Sequence, residues 1–176
     1  MRFAAFRALK WPLITGVALL GLGLLSPEPV QIPVEDATPV QWNDDTFWYY
    51  PWGSSVTHKG IDIFADRGTP VRTSTHSIVL LTADLSKGGT TVLTLGPGWR
   101  LHYYAHLETR SAYPGMLAPV GTPIGTVGTT GNAAGTPPHL HYSIVDLIPR
   151  PGRVTNEPHG TWRALYRNPI PYLIEE

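Results

Sequence analysis

The chain contains no cysteine. That excludes disulfides and any thiolate zinc site, and leaves a metal only histidine and carboxylate as ligands. It also has no surplus of either charge: 13 basic and 13 acidic residues cancel, and no block of like charge occurs anywhere along the 176 residues. A nucleic-acid partner is therefore not expected. Long apolar runs are scarce, Trp11 to Leu25 being the uncharged stretch that stands out, and no internal repeat is present. The length fits one domain with an appendage, and 42% hydrophobic residues suffice for one core.

What the chain does have is glycine and proline, 18 of each, set between short β-branched runs. This pattern predicts an all-β fold of short strands and close turns, paired mainly antiparallel. Strands are expected over Thr57–Phe64, Pro70–Thr75, Ile78–Ala83, Thr90–Leu95, Trp99–Leu107, Gly115–Val120, Pro123–Val127 and Leu140–Val145. Alternation in the fifth sets Leu101, Tyr103 and Ala105 on one face and turns His102, Tyr104 and His106 toward a groove. The aromatic run from Phe47 to Trp52 suits either core or groove wall.

Arg2, Arg7 and Lys10 precede the apolar stretch, the order of a secretory signal. No small-x-small cleavage site follows. Residues 1–25 are thus expected to form an apolar helix acting as an uncleaved signal anchor, with a cleaved signal peptide as the alternative; the run is shorter than the roughly 20 residues of a full span. The basic flank predicts a cytoplasmic N-terminus and an exported remainder facing the periplasm or cell wall. Pro27, Pro29, Pro33 and Pro39 mark residues 26–41 as a semi-extended linker, and residues 42–176 form the folded domain.

Three patches hold metal-competent side chains at even spacing: His58-Lys-Gly-Ile-Asp62, His102-Tyr-Tyr-Ala-His106 and His139-Leu-His141. Side chains two or four apart on a strand share a face, so each patch can aim its groups into a common groove. Gly60 is expected to leave a pocket between His58 and Asp62 in which a cation sits. Alone, His-x-x-x-Asp is a weak signal. Four histidines and an aspartate at matched spacing in a chain with 15% charged residues are a stronger one.

The segments His58-Lys-Gly-Ile-Asp62, Gly68-Thr-Pro-Val71, Tyr104-Ala-His-Leu107, Gly121-Thr-Pro-Ile-Gly125, Val127-Gly-Thr-Thr-Gly131 and His139-Leu-His-Tyr142, taken in order, resemble the zinc metallopeptidase family M23, which includes the lysostaphin-like and LytM-type endopeptidases of bacterial cell walls. The resemblance runs from about Thr57 to Leu173. It implies mainly antiparallel sheets forming an open groove, of the duplicated hybrid motif type. It also implies Zn2+ bound by His58, Asp62 and His141, with His106 and His139 as catalytic histidines. Three protein ligands leave a fourth position for water, the arrangement of a catalytic zinc. His139 would then act as general base, and His106 would hydrogen-bond the oxyanion, the two roles being shareable.

Two positions depart from the family pattern. His76-Ser77 occupies a turn where glycine is common, and Ser143 stands where an acidic or small residue is usual. His102 is extra to the pattern and is expected as an exposed strand histidine outside the site; His76 and His159 are expected at the surface. The implied function is cleavage of peptide cross-links or stems of bacterial peptidoglycan, with a membrane anchor and an unidentified regulatory protein as further partners. The alternative is a non-enzymatic activator of other wall hydrolases. Asn43, Asp44 and Asp45 could reach the groove as a latency device, but a solvated turn is the favoured expectation for them.

Overall fold

The computed structural model describes residues 12, 14–16, 18 and 20–174. The predicted β architecture is present. Its strands are β1 (Ile61–Phe64), β2 (Pro70–Arg72), β3 (Ser77–Leu85), β4 (Gly89–Gly96), β5 (Arg100–Arg110), β6 (Leu117–Ala118), β7 (Pro123–Val127), β8 (His139–Asp146) and β9 (Tyr166–Arg167). All pair antiparallel, in the order β1-β8-β5-β4-β3-β6, with β2 and β7 branching from β5 and β9 lying on β8. The order ends at β1 and β6, so the sheet stays open.

Alternation along the central strands separates a core face from a site face. Ile61 and Ile63 on β1, Tyr104 on β5, and Leu140, Tyr142 and Ile144 on β8 are fully buried in one cluster. Asp62, His139, His141 and Ser143 take the opposite parity. Register then fixes who sits beside whom: Asp62 lies opposite His141 and Phe64 opposite His139, while on the other flank of β8 Ala105 lies opposite His141 and Tyr103 opposite Ser143.

The proline-rich segment expected as a linker lies against the domain over part of its length. Gln31 N–H donates to the Ser74 carbonyl, Glu35 N–H to that of Pro70, and Arg72 N–H to that of Pro33. Val34, bridged to Val71, is buried. The expected anchor falls largely on residues outside those described. The described residues of the stretch 12–25 are helical, and among the described residues no helix is long and apolar enough to cross a membrane. At the other end, β9 and a short helix over Pro169–Ile174 pack Ile170 and Leu173 onto the core.

Candidate metal centre and groove

His58 does not belong to the expected strand over Thr57–Phe64, because β1 starts only at Ile61. The reason is local. His58 pairs its backbone with the aromatic loop instead, donating N–H to the Tyr49 carbonyl and accepting from Trp48 N–H. The aromatic run divides accordingly. Trp48 is buried, Tyr49 and Tyr50 are exposed, and Trp52 stacks on the His58 ring at a centroid distance of 4.2 Å. Gly60 has a different role from the one expected. A Cβ there would lie 2.4 Å from the Tyr142 carbonyl oxygen and 2.5 Å from Ser143 Oγ, so glycine lets the chain press against β8 and carry His58 to the donors.

Three donor atoms converge. His58 Nε2 lies 3.0 Å from Asp62 Oδ1 and 3.0 Å from His141 Nδ1, and His141 Nδ1 lies 2.8 Å from Asp62 Oδ1. Among the described residues these three form the group able to hold a metal ion. Two imidazole nitrogens and one carboxylate oxygen, drawn together without sulfur, are a donor set suited to zinc. Each histidine's far nitrogen is occupied. His58 Nδ1–H donates to the Thr46 carbonyl at 3.1 Å, which leaves Nε2 a lone pair. His141 Nε2 meets Ser143 Oγ at 2.9 Å, so the hydroxyl can accept a hydrogen bond from Nε2–H and leave the Nδ1 lone pair free. Ser143, two residues along the same face, thus supplies the support that an acidic residue would give. Ser143→Ala is expected to weaken zinc affinity about 10- to 100-fold with little change in fold, measurable by competition with a chromophoric chelator.

The electrostatics follow from burial. Desolvation pushes the Asp62 carboxyl up, but hydrogen bonds from His141 and His58 outweigh it and hold the group well below the ordinary carboxylate range. Burial lowers the His141 pKa against the opposing pull of Asp62. Both ligands are therefore biased toward the deprotonated forms that bind metal.

His106 and His139 stand beside this centre, their rings 5.1 Å apart, with His106 6.0 Å from the His141 ring. His106 reaches the groove by a route that alternation did not predict. Tyr104 and Leu107 both lie in the core, and this odd spacing requires one extra residue between them. The β4–β5 ladder accordingly shifts register between Thr90 and Val92, and His106 adopts φ 63°. This bulge turns His106 to the groove beside Ala105. His102 and Tyr104, expected to face the groove, are fully buried in the core instead. The expectation of an exposed His102 is thus wrong: it packs against Tyr142, with Nδ1 2.8 Å from the phenol oxygen.

The two groove histidines are set alike. His106 Nδ1–H donates to the Thr130 carbonyl at 2.9 Å and His139 Nδ1–H to the Pro137 carbonyl at 2.8 Å. With Nδ1 so committed, Nε2 is the nitrogen of each ring left to accept a proton. Burial, then the neighbouring His141 and His139, lower the His106 pKa to about 4, so it is neutral at physiological pH.

These groups line a groove of about 530 Å³, and a recess of about 290 Å³ bordered by Ser143 and Tyr166 shares Lys59, Tyr103 and His141 with it. Asn43, Asp44 and Asp45 are not in its wall. They form an exposed turn in which Asn43 Oδ1 accepts from Asp45 N–H. His76 is exposed, as expected, and accepts from Val120 N–H. His159, expected at the surface, is partly buried and holds Lys59 Nζ at 3.0 Å, a role no local sequence signal announced.

The profile of "Peptidase family M23" matches residues 56–154. An L-Ala–D-Glu endopeptidase of Bacillus subtilis is 30% identical over 123 residues, covering 62% of this chain and 38% of that protein. The peptidoglycan DD-endopeptidase ShyA of Vibrio cholerae is 31% identical over 114 residues, covering 64% and 26%. The chain therefore spans well under half the length of both relatives. Among solved structures, the catalytic domain of lysostaphin from Staphylococcus simulans aligns with a TM-score of 0.56 at 25% identity, over 72% of this chain and 86% of that one.

Proposed function

The chain belongs to peptidase family M23, and from that premise we propose that it is a zinc endopeptidase cutting peptide cross-links or stems of bacterial peptidoglycan. The observation that carries this reading is the convergence of His58, Asp62 and His141 donor atoms within 2.8–3.0 Å, open to a groove that two further histidines share. The peptidoglycan substrate is supported by the names of the relatives. Zinc, when bound, supplies polarisation of the scissile carbonyl and acidification of a water.

The protein's own residues do the rest. Thr46 and Ser143 fix the ring orientations of His58 and His141. The groove walls align an extended peptide over the donors. His139, its Nδ1 proton committed to Pro137, accepts the attacking water's proton at Nε2 and returns it to the leaving amine. His106, neutral and with its Nδ1 proton likewise committed to a carbonyl, can donate to an oxyanion only after gaining a proton. The two histidines therefore act as one proton-sharing pair, and either can serve as the acceptor first. An activator without turnover would have no need of this pair.

We also propose that residues 1–25 hold the domain, residues 42–176, at the outer face of the cytoplasmic membrane. The support is the order of basic and apolar residues in the sequence.

Purified chain is expected to release soluble peptide or glycan-strand material and new free amino groups from sacculi, to stop on removal of metal by a chelator, and to recover with zinc. Undiminished release after complete metal removal, or none from the zinc-loaded protein, would sink the reading.

A further inference from the structure

The groove is electropositive in a way the metal donors do not explain. Lys59 and Lys87 both line it, and apart from Asp62 and the histidines they are the ionised groups in its wall. Elsewhere, each of the eight arginines among the described residues pairs with a carboxylate. The two lysines do not. Lys59 Nζ donates to His159 Nδ1 at 3.0 Å and to the Ser55 carbonyl at 3.4 Å, and it lies 5.9 Å over the Trp48 ring. Lys87 Nζ donates to the Ser54 carbonyl at 2.6 Å.

None of these partners is a carboxylate. They position two ammonium groups without cancelling their charge. Two cations on one groove wall, Lys59 partly buried and Lys87 exposed, favour an anion that joins them. Lys59 also borders the recess that shares His141 with the groove, so the pair flanks the path of a peptide lying across the donors.

We propose that Lys59 and Lys87 form a carboxylate-recognition site, with His159 as a positioning residue for Lys59, and that the groove selects peptides bearing a free carboxylate next to the scissile bond. This rests on the endopeptidase reading for its scissile bond but not for its binding.

The test compares two cross-linked stem peptides that differ only in carrying carboxylates or carboxamides. Their binding is measured by calorimetry to the full-length, zinc-loaded His139→Ala protein, and their cleavage by the unmodified protein. Binding of the carboxylate peptide is expected to be about tenfold tighter or more, as for a charge-assisted contact. That ratio is expected to fall toward one when Lys59→Gln or Lys87→Gln is added. Equal binding of the two peptides overturns the proposal, and so does a preference that survives both lysine substitutions together. If the carboxylate peptide binds selectively but neither peptide is cut by the unmodified protein, the recognition site stands and the endopeptidase reading falls.

Discussion

His139→Ala is expected to reduce kcat by about 10²- to 10⁴-fold, the usual range for losing a general acid–base group, while the protein still binds one equivalent of zinc. The two halves of this result have separate causes. His139 Nδ1 is occupied by the Pro137 carbonyl, and its Nε2 lies 3.9 Å from Asp62 Oδ2. It is thus outside the set of three donors that approach one another closely, and truncating it leaves the metal's ligands in place. His106→Ala is expected to behave in the same way, because its Nδ1 is likewise tied to a carbonyl and its Nε2 likewise faces the groove. Since both rings present Nε2 as the acceptor, the double substitution is expected to cost much less than the product of the two single losses. Single-turnover rates and metal content measured on the three variants check this. Loss of zinc along with activity would make His139 a ligand, and multiplicative losses would make the histidines independent.

How much of this was legible in the sequence depended on whether a residue's role is set locally. Asp62 and His141 were legible because strand parity and ordered motifs act over a few residues, and the β1–β8 register then sets the two opposite each other. Parity failed at β5. A bulge is decided by how two strands pair, so nothing within His102 to His106 announced that His106, expected in the groove, would reach it by taking φ 63° while His102 and Tyr104 turned into the core. His58 was assigned to a strand for the same reason, since β-branched Ile61 and Ile63 signal a strand but not where it begins. The hydrogen bond from Lys59 to His159 joins residues 100 apart and has no signature in either segment. Ser143 is intermediate: as a departure from a pattern it reads as lost support, and only its 2.9 Å contact with His141 shows that a hydroxyl can fill the position.

The burial of His102 carries its own consequence for stability. Burial above all, then the charges of Arg100 and Arg167, lower its pKa to about 3, against about 6.5 in an unfolded chain. Its Nδ1 meets Tyr142 and Ser74, while Nε2 is buried with no partner, so an added proton would find nothing to accept it. Above about pH 6.5 both states are neutral at this residue and it imposes no pH dependence. As pH falls below that value the unfolded chain takes up a proton that the folded one refuses, and stability declines until about pH 3. The loss from this one residue is expected to reach about 3 kcal/mol by pH 4.5 and about 4 to 5 kcal/mol at the acid limit. His102→Phe keeps an aromatic ring against Tyr142 and Tyr172 but cannot take up a proton. Urea denaturation of both proteins at pH 7 and pH 4.5 isolates the effect, with a chelator present throughout so that acid release of zinc does not add its own loss. The variant is expected to lose about 3 kcal/mol less than the parent between the two pH values. Parallel losses would mean that His102 gains a proton in the folded state without penalty, and the buried site would then have to contain an acceptor for Nε2.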